Sequence, residues 1–189
     1  MRAAVLAVVV LAGLTTGAPA RACTEGAELV LGDVRYADTV VLGRIANYSV
    51  VAREKDDLFG LIFPYSRFDI VVEEVLKGRA PPVITVTWEN STFEQPEKIG
   101  PPGKYLIALQ SPGSVVELPL RALSATIMEL PEPDLPTVLQ APCSVPFIFE
   151  MGSKDAAALR WLVAHPDPAP KETEWRDKAP SRSSFKRAS

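Results

Sequence analysis

From Thr39 the chain becomes dense in β-branched residues, and from Gly43 onward apolar and polar positions alternate as far as Val51. A period of two sends successive side chains to opposite faces, so this stretch predicts a long, half-buried strand. Arg53-Glu-Lys-Asp-Asp57 interrupts it with charge, and Leu58 to Tyr65 follows as an unusually apolar connection that ends around Pro64. Arg67 to Leu76 resumes the strand pattern through Phe68, Ile70 and Val72, but Val75 falls out of step, which predicts a bulge near Glu73-Glu74. Val83 to Trp88 alternates cleanly and makes a third strand after Pro81-Pro82. Gly103 to Leu109 is almost continuously apolar, as a central strand covered on both faces would be. Val115 to Leu123 is expected to supply a fifth.

Glu28 to Tyr36 carries apolar residues at mixed spacing around Gly32-Asp33, which predicts a short helix or turn before the first strand. Leu130-Pro-Glu-Pro-Asp-Leu-Pro136 is punctuated by proline and is expected to run extended over the surface. Ser153 is placed to cap a helix whose apolar side is Ala157, Leu159, Trp161, Leu162 and Val163, and His165-Pro166 ends it. Four or five strands with short polar turns predict a mainly β fold built on a small barrel, flanked by a short N-terminal helix and a C-terminal helix.

The two ends set the expected address. Met1-Arg2 gives a basic start, Ala3 to Leu14 an apolar run, and Ala20-Arg21-Ala22 small residues where signal peptidase inspects the chain. Residues 1–22 therefore read as a signal peptide, with the mature chain starting at Cys23. A competing cut before Arg21 leaves two residues ahead of that cysteine. Residues 23–164 are expected to form one domain. Residues 165–189 are rich in Pro, Lys, Glu, Ser and Arg, a composition expected to remain disordered. Removal of residues 1–22 takes away Arg2 and Arg21 and leaves 18 basic and 23 acidic residues, a net charge of −5 that offers nothing to nucleic acid. No later apolar stretch approaches the length of a membrane span. The expectation is a secreted or periplasmic protein, monomeric, with an extracytoplasmic protein or a glycan as its partner.

The two cysteines, Cys23 and Cys143, form an even pair, and an oxidising compartment favours joining them. That bridge would close about 120 residues and stabilise the fold by roughly 4 to 5 kcal/mol in the chain-entropy treatment. The single histidine, His165, lies at the edge of the tail, so no histidine-based triad assembles in the body, and no glycine-rich phosphate loop is present. A metal centre made by the chain's own side chains is not expected, nor is a cofactor. Asp69, Glu73, Glu74 and Glu89 are the candidate carboxylates for a hydrolase. Their alternation with Val and Ile makes them solvent-facing strand positions first. Phe59, Ile62, Phe63 and Tyr65 are a candidate contact patch, with burial over one barrel mouth as the competing reading.

Three segments, Ala37-Asp-Thr-Val-Val-Leu-Gly-Arg-Ile45, Arg67-Phe-Asp-Ile-Val-Val-Glu-Glu-Val-Leu-Lys-Gly78 and Gly103-Lys-Tyr-Leu-Ile-Ala108, occur in an order and spacing that resembles the netrin-like module of tissue inhibitors of metalloproteinases and its bacterial secreted relatives. The resemblance covers about Cys23 to Leu123. It implies a five-stranded OB-type barrel flanked by helices. In the family's inhibitors the mature N-terminal cysteine holds a protease's catalytic zinc through its α-amino group and carbonyl, and the next side chain enters a specificity pocket. Cys23 and Thr24 match those positions. The chain departs from the family at Glu25, where the inhibitors carry a second cysteine, and in Phe93 to Gly100, which lacks the cysteine that braces the inhibitory edge. The function expected is a non-enzymatic binding or adaptor module, with metalloprotease inhibition through Cys23 as the alternative and a carboxylate hydrolase as the third reading.

Overall fold

Two long strands carry the architecture, and both begin and end close to where the alternation does. β1 (Thr39–Val51) and β2 (Tyr65–Lys77) pair antiparallel over most of their length. The computed structural model describes residues 27–52, 64–89, 95–114, 118 and 130–166. Leu42 faces Glu74 while Gly43 faces Val72, so Glu73 is the extra residue of a bulge, at the position where Val75 breaks the pattern. A second irregularity sets Asn47 and Tyr48 against Phe68, with Asn47 at φ 52°. Asparagine is one of the few residues that enters this left-handed region readily, and each bulge adds twist that helps the pair curl.

β3 (Val83–Trp88) lies antiparallel to β2, and β4 (Tyr105–Gln110) returns to pair with Thr39–Gly43 of β1. β5 (Thr137–Val138) closes the circuit, parallel to β3 at Thr87 and antiparallel to β4. The order β1-β2-β3-β5-β4 and back to β1 is a closed five-stranded barrel of OB type, to which β6 (Ile148–Glu150) adds beside β4. The strand that closes the barrel is Thr137–Val138, and the Val115–Leu123 stretch, apart from the half-buried Leu118, lies outside the described residues. The Leu130–Pro136 segment also differs from its expectation. It bends into a turn, with Leu135 N–H donating to Glu132 C=O at 3.0 Å, and delivers Pro136 C=O to Thr87 N–H at 3.0 Å.

β4 is buried on both faces, as its continuous apolar character predicts. Its Ile107 and Leu109 enter the barrel interior with Val41, Phe68, Ile70 and Val86. Its Leu106 and Ala108 face the other way, into a second layer with Phe147, Phe149 and the helix α1 (Lys154–Ala164). A 3-10 helix, Leu31–Tyr36, completes that layer through Val34, where the sequence predicted a short helix or turn. Ser153 Oγ accepts from Ala156 N–H at 3.1 Å and caps α1, as expected.

The buried side of α1 is Ala156 and Leu159, whereas Ala157 is exposed and Trp161 is 59% exposed. A helix turns 100° per residue, so positions two apart lie on nearly opposite sides, and neither Ala157 nor Trp161 shares the face of Leu159. Trp161 instead stacks on His165 at 4.6 Å between ring centroids. We therefore expect Leu159→Ala to cost about 2–5 kcal/mol and Trp161→Ala no more than about 0.5 kcal/mol in urea unfolding. Equal losses would show that α1 is not docked through Leu159.

Candidate functional site

β3 stops at Trp88, and among the described residues β6 pairs with a strand only on its β4 side. Between them opens a cleft of about 420 Å³, within the size range of small-ligand and side-chain pockets. Alternation along β6 sends Ile148 and Glu150, with Pro146 ahead of them, into the cleft, while Phe147 and Phe149 point into the helix layer. Trp88 and Tyr105 supply its aromatic walls, and the 96–101 segment, including Lys98 and Ile99, lines the opposite side.

That segment is fastened by hydroxyls and an amide. Tyr48 OH donates to Pro96 C=O at 2.7 Å and lies 2.6 Å from Ser66 Oγ, which donates to Gln95 Oε1 at 2.6 Å. Gln95 Nε2 donates to Trp88 C=O at 3.2 Å, so the start of the segment is joined to the strand end that it faces. Its far end is held by Tyr105 OH, which donates to Pro101 C=O, with Gly100 at φ 44° so close that a Cβ there would strike the same hydroxyl. Burial raises the pKa of both tyrosines above 10.0, and for Tyr105 the neighbouring Glu150 carboxylate adds to the rise. Both hydroxyls therefore stay protonated as donors at ordinary pH.

The wall behind Trp88 is equally specified. Trp88 Nε1 donates to Gln140 Oε1 at 2.7 Å, and Gln140 Nε2 donates to Ser144 C=O at 2.6 Å. Gln140 to Pro146 is an excursion between β5 and β6, closed by Phe147 N–H donating to Leu139 C=O at 2.9 Å. Cys143, buried and at φ 66°, lies within it and accepts from Ala27 N–H at 2.7 Å. The N-terminal end of the described chain is thereby tied three residues from the cleft-lining Pro146. Among the described residues no cysteine is free.

Those of the residues singled out in sequence that are described do not form one site. Cys23, Thr24, Phe59, Ile62 and Phe63 lie outside the described residues, and Tyr65 is buried at the start of β2 with its hydroxyl donating to Glu132 at 3.0 Å. The candidate carboxylates Asp69, Glu73 and Glu74 have separate partners. Glu73 pairs with Lys104 and with Arg44 at 3.0 Å, and Glu74 accepts from Arg160 on α1 at 2.6 Å. Asp69 accepts from Thr85 Oγ1 at 2.6 Å and from Asn47 Nδ2 at 2.7 Å, while Glu89 is half-buried just past β3. Among the described residues there is no group of three metal-binding side chains, and no helix is long and apolar enough to cross a membrane. The cleft residues Trp88, Lys98, Tyr105, Ile148 and Glu150 carry no motif. The nearest signal is a tyrosine two residues beyond Gly100-Pro-Pro-Gly103, a turn followed at once by a hydrogen-bonding aromatic.

Fold and cleft together define a small OB-type barrel with an apolar opening in its side. The chain matches no model of a known protein family, and no curated protein matches it.

The hydrogen bonds from Thr85, then Asn47, hold Asp69 below the ordinary aspartate value of 3.8. A carboxylate with a depressed folded-state pKa stabilises the fold above its unfolded value and loses that contribution as pH falls through the folded one. Thr85→Val should therefore raise the Asp69 pKa in a carboxyl NMR titration and flatten the loss of stability on acidification below about pH 4. An unmoved pKa would mean that Thr85 is not the dominant donor.

Proposed function

We propose that the protein is an extracytoplasmic, non-enzymatic binding module that engages a partner protein through the cleft between β3 and β6. The observation that carries this reading is the cleft's composition. Its lining is mainly aromatic and aliphatic, and Lys98 and Glu150 within it have no ion-pair partner among the described residues. A mainly apolar site with a few oriented polar groups suits a side chain better than a sugar, whose many hydroxyls need many partners. Asp69, Glu73 and Glu74, each engaged by hydrogen bonds or basic side chains on different elements, favour binding over hydrolysis. Secretion through residues 1–22 places the module outside the cytoplasm, where a Cys23–Cys143 bridge would form. Cys143 buried beside the tethered Ala27 supports that pairing. A photo-crosslinking amino acid at Lys98 should give discrete adducts with extracytoplasmic proteins, and the same group at Lys154 on α1 should not. Adducts from both positions alike, or from neither, would remove the cleft as the partner site.

A second reading, inhibition of a zinc metalloprotease through the Cys23 amine and Thr24, is favoured by that same tether, which fixes the chain four residues after Cys23. A free α-amine titrates near 7.7 to 8.0 and can offer a neutral nitrogen to a metal near neutral pH. The intact mass of the exported protein, before and after reduction, should give a chain that starts at Cys23 and gains two hydrogens on reduction. Such a protein should slow a zinc metalloprotease and lose the effect on N-terminal acetylation. A start at Arg21, or equal inhibition after acetylation, would exclude this mode.

A further inference from the structure

We propose that the free edge of β6 captures an extended segment of a partner protein as an added strand, in the lane that β3 leaves beyond Trp88. The inference rests on the cleft as the partner site and specifies how the partner lies in it. Hydrogen bonds fix which backbone groups of β6 are committed. Ala108 N–H donates to Phe147 C=O at 3.1 Å and Met151 N–H donates to Lys104 C=O at 2.7 Å. With Leu106 opposite Phe149, these bonds make 147, 149 and 151 the positions whose backbone faces β4. The intervening positions face away from it. On that outer edge Ile148 N–H turns back to Pro146 C=O at 2.8 Å, and Glu150 C=O accepts from Ser153 N–H at 3.0 Å. Among the described residues Ile148 C=O and Glu150 N–H have no backbone partner, one acceptor and one donor flanking Phe149, which is the spacing that an added extended chain requires.

The lane exists because of the topology. β5 runs parallel to β3 at Thr87, and β6 continues the direction of β5 along β4 after the Gln140–Pro146 excursion. Had β3 continued past Trp88 it would have lain beside β6. The strand ends there, and the cleft opens beside β6, lined on its opposite side by the 96–101 segment. The side chains of Ile148 and Glu150 face the cleft, so a strand added at their edge would send alternate side chains over the same surface.

The chemistry of the occupant follows. One residue must keep its N–H for Ile148 C=O, so it is not proline. A large aliphatic or aromatic side chain fits among Trp88, Ile99, Tyr105 and Ile148. Glu150 on one side and Lys98 on the other select a basic and an acidic neighbour for that residue. The partner segment is thus an extended peptide with an apolar centre between opposite charges.

Random heptapeptides displayed on phage, selected against the full exported protein, provide the probe. Each selected peptide is then synthesised in a set carrying one N-methyl group at successive positions. Strand addition predicts at least one position where methylation weakens binding about tenfold or more, the loss expected for one buried hydrogen bond whose partner is left unpaired. Glu150→Pro should give a similar loss, since it deletes an N–H that β4 does not use, and circular dichroism reports whether that variant folds. The N-methyl series keeps the test decisive if it does not. Peptides whose affinity falls with Ile148→Asp but tolerates methylation everywhere would overturn strand addition while leaving the cleft as the partner site. Failure to select any peptide would overturn it too, with the crosslinking at Lys98 deciding the cleft separately. Affinity that rises tenfold on deletion of residues 167–189, or on dilution of the protein, would give the lane to the chain's own tail or to a second copy, and would equally overturn the proposal.

Discussion

The fold depends on a double pairing at the start of β1. Over Val40–Gly43 this strand is paired with β2 on one edge and with β4 on the other, and that is what turns a sheet into a barrel. The constraint is sharpest at Gly43, where a Cβ would lie 2.5 Å from the Val71 carbonyl oxygen and 2.8 Å from Ile70. No side chain larger than hydrogen fits without moving backbone, so the approach of β1 to β2 at the bend is set by the absence of one. The Glu73 bulge sits directly opposite, which lets β2 follow the bend while β1 retains β4.

This closure leaves the barrel unequal around its circumference. The β1-β2-β3 side is built from long ladders, but β5 contributes two residues between β3 and β4. A barrel joined by so short a strand has a seam, and side chains supply what the backbone does not. Thr137 Oγ1 donates to Thr87 C=O at 3.2 Å, the Trp88 indole is held by Gln140, and Gln95 links the 96–101 segment to Trp88. The cleft is the remainder of that seam, and its walls are held by the bonds that close the barrel.

Much of this was legible in the amino acids, and the exceptions have physical causes. β1 and β3 begin and end as their patterns indicate because long alternation is a strong signal, and the Glu73 bulge was visible as one valine out of phase. β5 was not, since two residues after a proline carry no period. The pattern places α1 but makes its buried side too wide, because Trp161 is apolar yet largely exposed. The cleft was invisible for another reason. Trp88, Tyr105 and Ile148 have the ordinary pattern of core residues, and only the ending of β3 leaves a surface beside them.

Closure of the barrel also waits on the far end of the chain. β1 and β2 can zip as a local hairpin and β3 can join them, but the strand that links β3 to β4 arrives at Thr137–Val138, almost a hundred residues after β1 begins. Pairings so distant in sequence form late, after the entropy of bringing them together has been met. Until they form, a growing or emerging chain carries an open sheet with β3 and β4 both exposed at its edges, and strand edges of that kind pair with whatever strand is nearest. The time between the emergence of Gln110 and that of Val138 is therefore when this chain is most in need of a chaperone.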